Sequence, residues 1–171
     1  MQDRLIVALD LPSVAEAQSL VDELGEAGRF YKIGLQLLPV GGMALAMALK
    51  DQGRKVFLDY KLHDIPATVE KATRSIASVE ADMLTVHAEP PVMRAAVAGR
   101  GASNLKLLGV TVLTAYDDAM LAEIGYAVGA RDLVLKRVDQ AVEAGMDGVV
   151  ASAHEAADIR ARTPEGFLVV T

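Results

Sequence analysis

The residues best suited to chemistry lie in one short run, Leu58 to Thr68. Asp59 and Lys61 are two positions apart on a predicted strand, so their side chains are expected to point the same way. Asp64 follows in the next turn. Ionisable groups gathered where little water enters perturb one another's pKa values and become candidates for acid–base work. The isolated Asp-x-Lys-x-x-Asp pattern is also compatible with a solvated strand end and a helix N-cap, whereas the full run with His63-Asp64-Ile65-Pro66 is more specific.

Seven short apolar runs predict the strands that would position these residues. Several are apolar on both faces, as parallel strands covered by helices should be. The runs are Leu5–Leu9, Phe30–Gly34, Lys55–Asp59, Met83–His87, Leu107–Leu113, Gly148–Ser152 and Phe167–Thr171. Helical segments separate them, and this alternation predicts repeated right-handed βαβ crossovers in a single domain over residues 1–171.

Three local patterns mark where helices begin or end. Ser13 followed by Glu16 is a capping box, in which the hydroxyl accepts a backbone hydrogen bond and the glutamate reaches back to the cap. Pro66 is suited to a first helical turn, where its missing N–H is not needed. An amphipathic helix is predicted over Leu133–Ala144, with Gly145 as its stop.

Polar residues at the strand ends favour a (β/α)8 TIM barrel over an open doubly wound sheet. The side chains predicted to close one face at the carboxyl end of a strand are Asp10, Lys32, Lys61, His87 and Thr114. Barrel enzymes gather their active sites at that end. A doubly wound sheet often carries a glycine-rich first turn, but the first turn here is Asp10-Leu11-Pro12-Ser13. Only about seven of eight strands are found, so we expect the domain to be incomplete at its carboxyl end.

The composition narrows the possible partners. The formal net charge of −6 argues against non-specific binding to nucleic acid or to an acidic membrane surface. The chain has no cysteine, so neither disulfides nor thiolate chemistry is available. No apolar stretch has the roughly 18–20 residues of a membrane helix, and no signal peptide is recognisable near Met1. These features predict a cytoplasmic protein.

With these residues in place, the sequence resembles the orotidine 5′-monophosphate decarboxylases of the bacterial type. Asp59-x-Lys61-x-x-Asp64-Ile65-Pro66 matches the signature of that family. Further matches follow in order along nearly the whole chain: Val7-Ala8-Leu9-Asp10, Phe30–Gly34, Thr85-Val86-His87-Ala88, Gly109–Thr114, Gly148–Ser152 and Phe167–Thr171.

The resemblance implies a reaction and a set of roles. The reaction is cofactor-independent decarboxylation of orotidine 5′-monophosphate to uridine 5′-monophosphate in pyrimidine biosynthesis, without a metal. Lys61 would donate the proton to the carbon that loses carbon dioxide, and Asp59 would lie near the departing carboxylate. Asp10 and Lys32 would bind the ribose hydroxyls. Thr114 would contact the pyrimidine.

The resemblance also implies a homodimer whose sites are shared between subunits. Asp64 would reach in from the partner subunit and complete a Lys–Asp–Lys–Asp array with Lys32, Asp59 and Lys61. Thr68 would reach the ribose from the same side, and Ile65 would line the pocket there. The residues that grip the substrate phosphate in this family are expected beyond Thr171.

One departure from the family and two alternative functions accompany this interpretation. Glu89-Pro90-Pro91 stands where many members have small residues and glycines, so a changed loop is expected after the fourth strand.

His87 is interpreted as a structural histidine, His63 is left out of catalysis, and His154 is placed on the surface at a helix start. The alternatives are a metal-dependent sugar-phosphate lyase or synthase of the same superfamily, and a catalytically silent barrel fragment that only binds nucleotide.

Overall fold

A computed structural model describes residues 4–171 and contains seven strands and seven α-helices within that range. The strands are β1 (Val7–Ala8), β2 (Phe30–Gly34), β3 (Lys55–Leu62), β4 (Met83–His87), β5 (Lys106–Val110), β6 (Gly148–Val150) and β7 (Leu168–Val170). The helices are α1 (Val14–Leu24), α2 (Gly42–Asp51), α3 (Pro66–Ala77), α4 (Pro90–Arg100), α5 (Asp118–Glu123), α6 (Ala130–Glu143) and α7 (Ala156–Arg160). Short 3₁₀ turns occupy Gly25–Ala27, Leu38–Val40 and Ala153–Glu155.

The seven strands follow one another in sequence order within one sheet. Strand β1 pairs in parallel with β2 and β2 with β3, and the same holds for β5 with β6 and β6 with β7. A doubly wound sheet reverses its strand order at a switch point, whereas a barrel runs consecutively. The consecutive order with helical crossovers is that of a (β/α)8 barrel, as predicted, with seven of its strands among the described residues.

The chain divides into two compact units. Among the described residues, the first comprises 4–60 together with Ser75–Leu84 and Ala102–Leu105, and the second comprises Lys61–Arg74, Thr85–Gly101 and Lys106–Thr171. Each unit has fully buried apolar side chains of its own. Those of the first include Tyr31, Ile33, Leu49 and Leu58, and those of the second include Met93, Leu107, Leu121 and Ile159.

The predicted helix signals are found, with differences in the Glu16 contact and in the bounds of α6, which begins at Ala130 and ends at Glu143. The Ser13 hydroxyl caps α1 by accepting from the Glu16 N–H at 3.2 Å, and it donates to the Glu16 carboxylate at 3.0 Å. The glutamate therefore contacts the hydroxyl of the cap. Pro66 is the first residue of α3. Helix α6 ends at Glu143, and Gly145 follows with φ +77°, a conformation that favours glycine.

Two aspartates brace the amino-terminal ends of strands in the same way. Asp82, just before β4, donates its N–H to the Val56 carbonyl and accepts the Val56 N–H on its carboxylate at 2.8 Å. Asp147, just before β6, makes the equivalent pair of bonds with Leu107, at 3.0 Å and 2.9 Å. Each carboxylate thus fixes the register between its own strand and a neighbouring one.

Cations complete each brace. Lys50 Nζ lies 2.7 Å from the Asp82 carboxylate. The Asp147 carboxylate pairs with Arg100 and also with Lys106, whose Nζ lies 2.9 Å away. These ends of the strands therefore serve stability, as is usual for the amino-terminal face of a barrel.

Two of the differences between the predicted and the observed strand ends concern candidate site residues. Strand β5 ends at Val110, so Thr114 lies in an exposed turn beyond the strand and not at its end. Strand β3 continues to Leu62, but Lys61 has φ +48°, which interrupts the regular alternation of side chains. The regular alternation from which Asp59 and Lys61 were predicted to share a face is therefore interrupted at Lys61, and the shared face stays a prediction.

Candidate functional site

In the first unit, a lysine lies between two carboxylates near the carboxyl ends of the first three strands. Lys32 Nζ is 2.9 Å and 3.1 Å from the two carboxylate oxygens of Asp10 and 3.6 Å from Asp59 Oδ2. The side chain of Asp59 is 12% exposed and that of Lys32 is 19% exposed, whereas Asp10 is 54% exposed. The Lys32 ammonium therefore lies between a largely buried carboxylate, that of Asp59, and a half-exposed one, that of Asp10.

The backbone leaves room for this cluster. Gly34 stands opposite Asp59 in the parallel register of β2 and β3. A Cβ at position 34 would lie 3.2 Å from Asp10 Oδ1 and 3.4 Å from Lys32 Nζ. Glycine at this position lets the ion pair form directly over the strand, because a larger side chain would compete for the same space.

In the second unit, Lys61 is held through its backbone. Its N–H donates to the Thr85 hydroxyl oxygen at 2.9 Å, and Thr85 is fully buried in β4. The left-handed conformation of Lys61 is uncommon for a residue with a side chain and is typical of positions that the surrounding structure fixes.

The residues after Lys61 form an exposed entrance to α3. Asp64 accepts the Ile65 N–H on its own carboxylate at 2.6 Å. Ile65 is 67% exposed, and Asp64 and Thr68 are exposed as well. These three side chains are therefore open to solvent on this chain.

A histidine pair that the sequence did not predict lies beside this segment. The rings of His63 and His87 stack with their centroids 4.5 Å apart. Glu89 Oε1 lies 3.3 Å from His63 Nε2. Burial lowers the pKa of His87 from its ordinary value, and the neighbouring His63 lowers that pKa further. The stack and the lowered pKa place His87 in a partly buried cluster with His63, and its structural role stays a prediction.

The sequence suggested a changed loop at Glu89-Pro90-Pro91, but the two prolines belong to a helix. Pro90 and Pro91 form the first turn of α4, and Glu89 is its N-cap residue. Proline is suited to these positions because the first N–H groups of a helix have no partner within it. The departure from the family pattern therefore starts a helix and places Glu89 against His63.

Two cavities of 190 Å³ lie in the second unit. His63, His87, Glu89 and Tyr126 are among the residues that line one, and Thr114, Ser152 and His154 are among those that line the other. Thr114 therefore faces a cavity although it lies beyond the end of β5. His154 is exposed within the 3₁₀ turn Ala153–Glu155, as predicted. Among residues 4–171, no three His, Asp or Glu side chains are grouped so that they could hold a metal ion.

The consecutive strand order defines a barrel protein, and each unit carries charged groups near the carboxyl ends of its strands. A sequence model of the orotidine 5′-phosphate decarboxylase / HUMPS family matches residues 3–171. The chain belongs to this family.

Named relatives agree with that assignment. The chain is 59% identical over 168 residues to an orotidine 5′-phosphate decarboxylase of Caulobacter sp. (strain K31). The aligned residues cover 98% of this chain and 73% of the relative. It is 54% identical over 170 residues to an enzyme of the same name from Rhodopseudomonas palustris (strain BisA53), covering 99% and 72% respectively. The chain thus spans about three quarters of the length of these relatives.

Solved structures agree on the fold. The orotidine 5′-phosphate decarboxylase of Lactobacillus acidophilus superposes with a TM-score of 0.88 at 34% identity, over 98% of this chain and 79% of that one. An uncharacterized conserved protein from Geobacillus kaustophilus superposes with a TM-score of 0.89 at 39% identity, over 96% and 80%. These relatives do not favour either alternative function. Within the described residues, no helix has the length and apolar character needed to cross a membrane.

Proposed function

We propose that this chain carries the catalytic machinery of an orotidine 5′-monophosphate decarboxylase, which releases carbon dioxide and forms uridine 5′-monophosphate. Family membership at 54–59% identity over nearly the whole chain is the observation that carries this proposal. The reaction needs no metal or cofactor in this proposal, since protein charges supply the stabilisation. The enzyme would act in the cytoplasm as a step of pyrimidine biosynthesis.

Lys61 is the proposed proton donor. Loss of carbon dioxide leaves an electron pair in the plane of the pyrimidine ring, where it cannot delocalise into the π system. A fixed ammonium beside that carbon stabilises the charge as it develops and then supplies the proton. Lysine suits this role because its ammonium is a compact point charge. Asp59 would lie near the departing carboxylate and help to keep the lysine protonated, since a neighbouring anion favours the charged form.

Asp10 and Lys32 are proposed to bind the ribose hydroxyls. Their ion pair supports this role, because a half-exposed carboxylate held by an ammonium offers an acceptor and a donor at neighbouring positions. Lys32 also belongs to the proposed Lys–Asp–Lys–Asp array. Thr114 is proposed to contact the pyrimidine, and the cavity that it lines supports that role.

Asp64, Ile65 and Thr68 are proposed to serve the active site of a partner subunit in a homodimer. Their exposure on this chain supports the proposal, because each side chain is available to a neighbouring molecule. The Asp64 carboxylate would complete the charged array of the partner, Thr68 would reach the ribose, and Ile65 would close the pocket.

The decisive test of the reaction is an absorbance assay with orotidine 5′-monophosphate on the full-length protein, with and without EDTA. We expect metal-independent turnover that Lys61→Ala abolishes while the circular dichroism spectrum stays unchanged. Lys136→Ala, on the exposed face of α6, is the matched control and should retain full activity. Substantial activity of Lys61→Ala would refute the proton-donor role, and complete loss in EDTA would favour the metal-dependent sugar-phosphate enzyme.

The shared site can be tested by mixing two inactive variants. In a heterodimer of Lys61→Ala and Asp64→Asn subunits, one site would carry both defects and the other would carry neither. Random subunit exchange should therefore restore about a quarter of the wild-type activity. No recovery after verified exchange would show that Asp64 acts within its own subunit.

A further inference from the structure

Lys61 has a backbone conformation that its position in a strand does not explain. Within residues 4–171, only Lys61 and Glu80 combine a side chain with a positive φ, +48° and +55° respectively. Glu80 lies in an exposed turn after α3, where left-handed residues are common. Lys61 lies inside β3, so another part of the protein must keep it in this conformation.

Strand β4 and the N-cap residue of α4 supply contacts to the segment from Lys61 to His63. The buried hydroxyl of Thr85 accepts the Lys61 N–H at 2.9 Å. Two residues further along the same face, His87 stacks on His63 at 4.5 Å. Glu89, a further two residues on, lies 3.3 Å from His63 Nε2. The three residues, each two positions apart along the chain, therefore all contact the segment from Lys61 to His63.

We propose that Thr85 is a positioning residue for Lys61, and this proposal rests on the role of Lys61 in the proposed function. In a regular parallel ladder a backbone carbonyl accepts a strand N–H, whereas the Thr85 hydroxyl oxygen accepts that of Lys61. By accepting this N–H, Thr85 keeps Lys61 in its left-handed conformation and thereby directs the start of its side chain. Thr85 does not touch the reacting atoms in this proposal, and its hydroxyl oxygen acts on Lys61 through the Lys61 backbone.

The backbone conformation of Lys61 determines the direction in which its long side chain leaves the strand. Without the hydroxyl, the Lys61 N–H loses its acceptor, and the backbone is free to return to a negative φ that L-residues prefer. Such a change redirects the Cα–Cβ bond, so the ammonium moves by an ångström or more. Misplacement of a catalytic group by about 1 Å can reduce turnover by about 100-fold.

Thr85→Val in the full-length protein tests the proposal, because valine keeps the shape of threonine and removes the acceptor. We expect kcat for orotidine 5′-monophosphate to fall by about 10–100-fold and KM to change by no more than about threefold. Thr85→Ser keeps the oxygen and should retain kcat within about threefold. Thr73→Val is the matched control, since Thr73 is also fully buried but its hydroxyl has no hydrogen-bond partner. Its kcat should equal that of the wild type.

Amide hydrogen exchange at Lys61 provides a readout that does not depend on activity. The Lys61 N–H should be protected in the wild type and in Thr85→Ser, and it should exchange faster in Thr85→Val. If the wild type fails to decarboxylate, the proposed function fails, while the exchange experiment still tests the contact. A wild-type kcat in Thr85→Val, or an unprotected Lys61 amide in the wild type, would overturn the proposal. If Thr85→Val does not fold, the serine variant decides, because a large loss of kcat there contradicts an oxygen-mediated role.

Discussion

The two aspartate braces allow a quantitative prediction about stability that leaves catalysis untouched. Asp147 is the stronger brace, since its side chain is 17% exposed and that of its partner Arg100 is 19% exposed. A hydrogen bond to a charged group contributes about 1.5–3 kcal/mol. Lys106 is 54% exposed, so its pairing adds only about 0–1 kcal/mol.

Asp147→Asn keeps an oxygen that can accept the Leu107 N–H and removes the negative charge. We therefore expect the free energy of unfolding to fall by about 2 kcal/mol. Asp147→Ala removes every acceptor and leaves a largely buried guanidinium without its partner, so about 3–5 kcal/mol should be lost. Asp82→Asn serves as the matched comparison. Its pair with Lys50 is more exposed, 28% and 25%, and about 1 kcal/mol is expected.

Urea unfolding followed by far-ultraviolet circular dichroism measures these differences, with orotidine 5′-monophosphate turnover as the companion assay. Both asparagine variants should keep the wild-type kcat at a temperature where they are folded, because the braces lie at the amino-terminal ends of the strands. The reasoning would be refuted if Asp147→Asn were as stable as the wild type. It would also be refuted if Asp82→Asn were the less stable of the two.

Three further predictions concern single side chains. Because burial lowers the pKa of His87 below 6.5, the unfolded chain binds a proton more readily than the folded one. The free energy of unfolding should accordingly decrease as pH falls from 6.5 through the lower folded-state pKa of His87. Urea titrations across this pH range should show a weaker pH dependence for His87→Gln. Ser13→Ala should lower stability by about 1 kcal/mol through loss of the α1 cap, and an unchanged denaturation midpoint would contradict this role. Lys32→Met should lower kcat/KM by about 10–100-fold, since a charged hydrogen-bond donor is lost. Steady-state kinetics with the folded variant measure the effect. A change below about threefold would argue against contact between Lys32 and the substrate.

The sequence predicted the strands well where both faces are buried. The bounds of β2 and β4 match the apolar runs residue for residue, because their length is set by core packing on both sides. Strand β1 is limited to Val7–Ala8, since Leu5 is 70% exposed and has no core to pack against. An apolar run alone cannot distinguish a paired strand from the extended chain beside it.

The candidate site was predictable in its residue types but not in its backbone. The pairing of Asp10 with Lys32 follows from opposite charges on neighbouring strands, with Asp10 just beyond β1 and Lys32 within β2. The left-handed conformation of Lys61 could not be inferred, because lysine carries no local signal for a positive φ and the cause lies in Thr85, 24 residues away. Likewise, the sequence suggested only a changed loop at Glu89-Pro90-Pro91, and the contact of Glu89 with His63 depends on tertiary structure.

Gly34 affects how any mutational survey of this enzyme should be interpreted. An alanine there would be classified as a mild change in a scanning library, yet its methyl group would lie 3.2 Å from a carboxylate oxygen of Asp10 and 3.4 Å from the ammonium of Lys32. Loss of activity at position 34 would then report a displaced ion pair and not a contact made by residue 34 itself. Libraries designed to alter substrate preference are best built with this glycine fixed and diversity placed at the turn around Thr114, where side chains are exposed.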